Sequence, residues 1–261
     1  MKTLVKTSLQ EFPPRLTTQL QQAIVKAKTN ASGPLYAAFD ADGTLWNLDM
    51  GESFFDYQLK NCGLANLPDD PWKYYLDLKA KGDYEKAYLW LAQINQGIPL
   101  TQVRAWAQAF FAGLEDFPLF QSQRHLLDFL RDQGFTIYIV TASVKWSVEP
   151  AAAALGIPES QVLGVTTQLR PLAQQGWQVS DLQAGPITYR QGKVEALLAA
   201  THGVAPLFAA GNTTGDLPLL QSSTGCCLAV GSQPPGSDLY ASEHELQTFA
   251  HKHGWFTHNF Y

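Results

Sequence analysis

Short apolar runs that alternate with amphipathic segments constrain the fold of this chain more than any other sequence feature. The runs are "LYAAF" (35–39), "FTIYIV" (135–140), "APLFAA" (205–210) and "CCLAV" (226–230). Each has the length of a strand and is apolar on both sides, which is typical of strands covered on both faces. Helical patterns such as "QRHLLDFLRDQG" and "KVEALLAATHG" lie between them. The alternation predicts an α/β layered fold with a mainly parallel sheet.

Residues 49–116 do not follow this alternation. They lack a convincing strand pattern, and "PWKYYLDLKAKGDYEKAYLWLAQINQG" and "TQVRAWAQAFFAGL" have helical periodicity. We therefore predict a helical domain at 49–116, inserted after the first strand of a core domain formed by 1–48 and 117–261. An amphipathic helix is also expected at 16–28. A short antiparallel β element is expected in "VLGVTTQL", "GWQVSDL" and "PITY".

Composition narrows the class of protein. The chain is 46% hydrophobic and 16% charged, as expected for a globular protein. A net charge of −5 without a Lys/Arg run argues against nucleic acid as the main partner. No apolar run is long enough to span a membrane, and "MKTLVKTSLQEFPP" lacks the apolar core of a signal peptide. We expect a cytoplasmic protein that does not bind membranes; the sequence predicts no particular oligomeric state.

Two carboxylates follow the first apolar run, in "FDADGTLW". Ligands of open α/β sheets bind beyond the carboxyl ends of the strands, so Asp40 and Asp42 are candidate functional residues. The alternative is a turn in which an aspartate serves as a cap. A calcium loop is excluded because Leu45 stands where such a loop requires glycine.

Polar residues at three other positions strengthen the functional interpretation. Thr141 follows the second run and leads, with the backbone N–H groups beside it, toward a helix, which is a suitable place to bind an anion. Lys193 opens a helix, where a bound anion would explain its charge. Asn212 and Asp216 lie in a Gly/Thr-rich loop after the third run. Taken singly, Thr141 is also compatible with a helix N-cap, Lys193 with a solvated surface lysine, and Asn212 and Asp216 with an ordinary turn.

Together these side chains suit phosphoryl transfer. One carboxylate can attack phosphorus and a second can handle the proton of the leaving group. A hydroxyl and a lysine can neutralise the phosphoryl oxygens, and oxygen ligands can hold Mg²⁺.

In order and spacing, "FDADGTLW", "VTAS", Lys193 and "GNTTGD" resemble the four motifs of the haloacid dehalogenase (HAD) superfamily of phosphatases. The resemblance implies a Rossmann-like core and a helical cap, as in the phosphoserine-phosphatase-like branch. It also implies that Asp40 is the nucleophile that forms an aspartyl-phosphate and that Asp42 is the general acid/base. Thr141, Ala142 and Lys193 would bind the phosphoryl group.

The resemblance implies Mg²⁺ as the cofactor. Its ligands would be Asp40, the main-chain carbonyl of Asp42 and residues of the fourth motif, Asn212 and Asp216. That motif usually begins Gly-Asp, whereas here Asn212 follows Gly211. An amide oxygen still binds Mg²⁺ but carries no charge, and Asp216 is expected to compensate. Asp42 argues against a dehalogenase, which lacks a carboxylate there.

The segment after the first motif, "TLWNLDMGESFFDY", bears on the substrate. It resembles the flap of bacterial phosphorylcholine phosphatases. Asp49 and Glu52 would repel a phosphate unless the rest of the substrate is cationic, and Trp46 can add cation–π contact. The alternative is that both acidic residues only favour the N-terminus of a helix.

These observations predict an Mg²⁺-dependent phosphomonoesterase acting on a small phosphorylated metabolite. We expect a substrate with an amine or quaternary ammonium head, phosphocholine-like before phosphoserine-like. The alternatives are a phosphate-binding or regulatory protein that retains the fold with weakened catalysis, and a phosphotransferase or mutase.

Overall fold

The computed structural model describes residues 11–172 and 176–261. The strands within these ranges are β1 Tyr36–Phe39, β2 Thr136–Val144, β3 Val162–Val165, β4 Thr167–Pro171, β5 Trp177–Gln183, β6 Phe208–Gly211, β7 Cys226–Gly231 and β8 Phe256–Asn259. The α-helices are α1 Pro14–Thr29, α2 Met50–Asn61, α3 Pro71–Ala80, α4 Tyr84–Gln93, α5 Leu100–Ala112, α6 Gln121–Asp132, α7 Lys145–Ala154, α8 Gln191–Ala200, α9 Leu217–Gln221 and α10 Tyr240–Lys252.

The main sheet has six strands in the order β3-β2-β1-β6-β7-β8. Every neighbouring pair is parallel. The carboxyl ends of the strands therefore meet at one edge. Because β1 pairs with β2 on one side and β6 on the other, the strand order reverses beside β1, where ligands of open α/β sheets bind.

The apolar runs form the centre of this sheet, as predicted. Ala37, Ala38 and Phe39 of β1 are fully buried, as are Ala209 and Ala210 of β6. Such short, uniformly buried strands need helices on both faces, which explains why the sequence shows no polar alternation.

The N-terminal helix is confirmed, although its buried face is narrower than predicted. Leu20 and Ile24 are each 1% exposed, but Val25, which we assigned to the same face, is 43% exposed. Val25 follows Ile24 by one position, which turns it about 100° around the helix and out of the core.

Helices α2–α5 lie between β1 and α6 in the chain and are held together largely by aromatic side chains. The ring of Phe55 on α2 lies 4.8 Å from Trp72 and 5.4 Å from Trp90 between centroids. Phe54 packs 5.8 Å from Phe110 on α5. The helical content of 49–116 agrees with the expected insertion, while its division from the core at 48/49 and 116/117 stays a prediction.

The expected antiparallel element is only partly correct. β4 and β5 form a two-stranded antiparallel sheet, but β3, taken as part of that element, pairs parallel to β2 in the main sheet. Its ends, Val162 and Val165, are fully buried, and that burial requires a place in the core. Residues 186–189 form no strand.

Two further strand predictions need correction. β2 continues to Val144, with a register shift against β3 after Val140, so the "VTAS" segment is extended rather than a turn into a helix. β8 was not predicted. It is an edge strand of mixed polarity ("FTHN"), and its register on β7 is set by tertiary pairing.

Within the described ranges, no helix combines the length and apolar character needed to cross a membrane. Residues 1–10 of the predicted core segment 1–48 lie outside the described part. The cytoplasmic location stays a prediction.

Candidate active site

Asp40 lies directly beyond β1 and is 6% exposed. Its backbone N–H donates to the carbonyl of Ala210 on β6, which ties the residue to both central strands. Oδ1 accepts a hydrogen bond from Lys193 Nζ at 2.5 Å, and Oδ2 accepts from the Thr44 hydroxyl at 3.0 Å. Thr44 was not singled out from the sequence, although it stands within the first motif, four residues after Asp40.

Lys193 is 2% exposed, so the interpretation as a solvated surface lysine is wrong. Its Nζ lies 2.5 Å from both Asp40 Oδ1 and Asp216 Oδ1. A Cβ on the preceding Gly192 would overlap the carbonyl of Ile187, so glycine permits the tight turn that precedes Lys193. The two carboxylates outweigh the effect of burial and raise the pKa of Lys193, which keeps it charged.

Burial, together with the neighbouring carboxylate of Asp216, raises the pKa of Asp40 to about 6, against the opposing effect of Lys193. Two carboxylates and one ammonium thus share a buried site with an excess of negative charge. Such a site favours binding a further cation.

Asp42 has a different environment. Its Oδ1 accepts from the Trp46 indole N–H at 2.7 Å and from the Met50 backbone at 3.1 Å, and its Oδ2 accepts from the Ser143 hydroxyl at 2.5 Å. Desolvation, and then the carboxylate of Asp49, raise the pKa of Asp42 well above its usual range. Because a raised pKa favours the protonated form, this environment suits Asp42 to the role of a general acid.

The second motif brings Ala142 to the cleft but directs Thr141 inward. Thr141 is 1% exposed, and its hydroxyl accepts a hydrogen bond from the Ser143 backbone at 3.0 Å. Its carbonyl accepts from the Thr188 hydroxyl at 2.5 Å. Phosphate binding by Thr141 stays a prediction. Ser143, which holds Asp42, is the member of this motif that sequence analysis missed.

Asp216, which was predicted to contribute to the metal site, is hydrogen-bonded to Lys193 and to its own loop. Oδ1 contacts Lys193, and Oδ2 accepts from the backbones of Asn212 and Thr213 at 3.1 and 3.0 Å. Both oxygens are already engaged, because the side chain folds back over its own loop. Asp216 thus contacts both Lys193 and its own loop, and its contribution to the metal site stays a prediction.

Asn212 is 2% exposed and lies against the turn after Asp42. A Cβ on Gly43, whose φ is +78°, would collide with the Asn212 amide nitrogen. That nitrogen donates to Glu243 Oε1 at 2.9 Å, while Oδ1 accepts from the Thr44 hydroxyl at 3.4 Å. The amide oxygen is thus turned toward Thr44, whose hydroxyl also donates to Asp40.

The donor set fits Mg²⁺. In the described residues, no three His, Cys, Asp or Glu side chains form a metal-binding group. The predicted oxygen donors are the carboxylates of Asp40 and Asp216, the Asn212 amide oxygen and the main-chain carbonyl of Asp42. Mg²⁺ is usually bound through one or two carboxylates and keeps several waters, so this sparse set of oxygens suits it.

These residues face a cleft of about 400 Å³. We call Asp40, Asp42, Lys193, Asn212 and Asp216 the cleft floor. A second group of lining residues, which we call the cleft wall, consists of Asp49, Lys79 and Tyr88 from the segment 49–116 together with Tyr189. A larger depression of about 520 Å³ lies near the other ends of β1, β6 and β7. Lys26 is the one charged side chain in its lining, so it offers no catalytic set.

Two of the three predicted substrate-head residues do not reach the cleft. Trp46 is fully buried and its indole N–H is bonded to Asp42, so it has no free face for a substrate. Glu52 does not line the cleft, and its Oε1 accepts from Lys79 Nζ at 2.7 Å and from the Tyr75 hydroxyl at 2.9 Å.

Asp49 does line the cleft, and it also caps α2 by accepting from the Glu52 backbone at 2.7 Å. The sequence analysis missed Lys79, Tyr88 and Tyr189. Tyr88 and Tyr189 contact each other at 5.4 Å between ring centroids although they are far apart in the chain. Tyr88 lies in the predicted helical segment 49–116, and no local signal distinguished it from the other aromatic residues there.

The sequence model of the haloacid dehalogenase-like hydrolases matches residues 37–221, most of the chain. Phosphorylcholine phosphatase of Pseudomonas aeruginosa is 23% identical, over 79% of this chain and 75% of that protein. A protein of unknown function from Bordetella pertussis Tohama I has a TM-score of 0.66 at 20% identity, covering 88% of this chain and 100% of its own. A phosphoserine phosphohydrolase-like protein from Francisella tularensis has a TM-score of 0.50 at 18% identity, covering 75% and 87%.

The family match spans β1 to α9 and so includes every residue of the cleft floor. The solved structures show the same fold. The chain therefore belongs to the haloacid dehalogenase-like hydrolases.

Proposed function

We propose that the protein is an Mg²⁺-dependent phosphomonoesterase that works through an aspartyl-phosphate on Asp40. The observation that carries this proposal is that two carboxyl groups in one cleft, those of Asp40 and Asp42, have different environments. Lys193 pairs with Asp40 and opposes the effect of burial on its pKa, whereas the described salt bridges include no cation at Asp42, whose pKa is raised well above its usual range. Carboxyl groups whose environments differ in this way can take separate nucleophilic and acid–base roles.

In the first step, a carboxylate oxygen of Asp40 attacks phosphorus and the bond from phosphorus to the ester oxygen breaks. Asp42 donates its proton to the departing alkoxide. In the second step, Asp42 takes a proton from the water that attacks the aspartyl-phosphate, which releases inorganic phosphate and restores Asp40. Lys193 stabilises negative charge on the phosphoryl oxygens.

Asp40, Asn212 and the carbonyl of Asp42 would hold the metal. Bound Mg²⁺ supplies positive charge that reduces repulsion between the carboxylate and the phosphate. The proposal is tested by phosphate release from p-nitrophenyl phosphate with Mg²⁺ and with EDTA. We expect turnover only with Mg²⁺. Equal rates in both conditions would contradict the metal requirement, and transfer to an added alcohol instead of release would favour a phosphotransferase.

We further propose a small substrate with a cationic head. On the cleft wall, the charge of Lys79 is compensated by Glu52, whereas Asp49 has no cationic partner among the described salt bridges. The wall therefore retains one negative charge in the same cleft as the phosphate site. Tyr88 and Tyr189 add aromatic surface, to which amine and quaternary ammonium groups bind. The similarity to a phosphorylcholine phosphatase supports the same substrate class.

A panel of phosphocholine, phosphoethanolamine, phosphoserine and glycerol phosphate tests this substrate class. We expect the lowest KM for phosphocholine. Asp49→Asn should raise the KM for phosphocholine more than that for p-nitrophenyl phosphate. Asp56→Asn is the matched control, because Asp56 is on the same helix but bonds to Lys60 at the surface. A preference for glycerol phosphate, or equal effects of Asp49→Asn on both substrates, would contradict the proposal.

A further inference from the structure

Glu243 is a buried carboxylate next to the cleft floor that the proposed mechanism does not use. It lies in the first turn of α10 and is 1% exposed. Oε1 accepts from the amide of Asn212 at 2.9 Å and from the hydroxyl of Ser232 at 2.7 Å. Oε2 accepts from the backbones of Ser232 and Gln233 at 3.0 and 2.9 Å. Every partner of this carboxylate is therefore a hydrogen-bond donor.

This arrangement fixes which way the Asn212 amide points. An asparagine side chain presents an oxygen on one side and an NH₂ group on the other. Because Glu243 can only accept, the NH₂ group must face it, and Oδ1 must face Thr44. Without Glu243, the amide is free to present its NH₂ group to the metal position instead.

We infer that Glu243 is the positioning residue of the metal site and that it supplies the negative charge that Asn212 lacks. In the usual motif, one aspartate supplies both the ligand oxygen and the charge. Here Asn212 supplies the ligand oxygen and Glu243 supplies the charge. This inference rests on the Mg²⁺ dependence proposed above. Outer-shell partners that orient a metal ligand in this way contribute strongly to metal affinity.

The hydrogen-bond pattern predicts that Asn212 and Glu243 together need one negative charge, which either position can carry. Variants with two charges or with none should be impaired. In Glu243→Gln, the glutamine oxygen keeps the hydrogen bonds from the backbones of Ser232 and Gln233. The glutamine NH₂ group then faces Asn212, so the Asn212 amide rotates and presents its own NH₂ group to the metal position. In Asn212→Asp, two carboxylates face each other without a proton between them. In Asn212→Asp/Glu243→Gln, the glutamine NH₂ group donates to the aspartate, whose other oxygen remains directed at the metal.

The test measures the Kd for Mg²⁺ by isothermal titration calorimetry, and the Tm in EDTA. We expect Glu243→Gln to weaken Mg²⁺ binding about 10- to 100-fold. The double variant should regain most of this loss. Asn212→Asp alone should lower the Tm in EDTA, and the double variant should restore it. Glu245→Gln is the control, because Glu245 is an exposed residue of the same helix.

An unchanged Kd in Glu243→Gln, or a double variant that binds Mg²⁺ no better than Glu243→Gln, would overturn the inference. If Glu243→Gln does not fold, the test rests on the double variant Asn212→Asp/Glu243→Gln. A double variant that folds and binds Mg²⁺ with a Kd close to the wild-type value supports the inference, and one that does not contradicts it. Absence of Mg²⁺ binding by the wild-type protein would instead contradict the proposed metal dependence, which distinguishes the two failures.

Discussion

The floor and the wall of the cleft are built on different principles. On the floor, Asp40, Lys193, Asn212 and Asp216 are each no more than 6% exposed, and hydrogen bonds fix each side chain. On the wall, the side chain of Lys79 is 29% exposed and is held by one ion pair. Buried and paired groups cannot rearrange without leaving a charge unpaired, whereas half-exposed groups exchange partners at little cost.

This difference indicates a division of labour. The floor performs a reaction that tolerates little change in geometry. The wall contacts the part of the substrate that differs from one phosphomonoester to another. Substitutions on the floor should therefore reduce turnover for every substrate, and substitutions on the wall should alter KM for particular substrates.

Asp40→Asn should have the largest effect. An amide cannot attack phosphorus, so phosphate release should fall below about one thousandth of the wild-type rate for every substrate. The Tm should stay close to the wild-type value, because Lys193 keeps Asp216 as a partner. Rate measurements with p-nitrophenyl phosphate and phosphocholine check this. Near-normal turnover would remove Asp40 from the mechanism.

Asp42→Asn should reduce kcat by about 10²- to 10⁴-fold, the usual contribution of general acid/base catalysis. The loss should be smaller with p-nitrophenyl phosphate, whose leaving group needs little protonation, than with phosphocholine. Equal losses for both substrates would argue that Asp42 contributes geometry rather than a proton.

Ser143→Ala should shift the pH profile in a direction fixed by its hydrogen bond. The Ser143 hydroxyl lowers the pKa of Asp42, so its removal raises that pKa further. Because the acid step needs protonated Asp42, the high-pH limb of kcat should move to higher pH. A limb that moves to lower pH would contradict this role for Asp42.

Tyr88→Leu should act on the wall alone. Loss of the ring should raise the KM for phosphocholine about two- to fivefold, as expected for a partly exposed cation–π contact, with kcat unchanged. Tyr88→Phe keeps the ring and should stay near wild type. If Tyr88→Leu reduces kcat for all substrates, the division between floor and wall fails.

Glu52→Gln should have the smallest effect. It leaves Lys79 uncompensated beside the cleft, so the KM for phosphocholine should rise about twofold and that for phosphoserine should fall slightly. The change should disappear at high salt, since the pair is partly exposed. A large effect that salt does not reduce would place Glu52 in direct contact with the substrate.

The parallel core was predictable because its strands are covered on both faces, so each of them appears in the sequence as a continuous apolar run. β1 and β7 match their predicted runs closely, whereas β6 begins three residues later than its predicted run and ends one residue beyond it. β3 was assigned to the wrong sheet and β8 was not predicted. In both strands, pairing with a neighbour rather than local sequence decides the position.

The sequence by itself determined the cleft floor, because parallel strands bring their carboxyl ends to one edge wherever they fold. Asp40, Asp42, Lys193 and Asn212 therefore follow from motif order. Only the tertiary structure decided that Trp46 is buried, that Glu52 is paired with Lys79, and that Glu243 holds the amide of Asn212. These contacts join residues from separate helices and loops, and their side-chain directions depend on packing that no local pattern encodes.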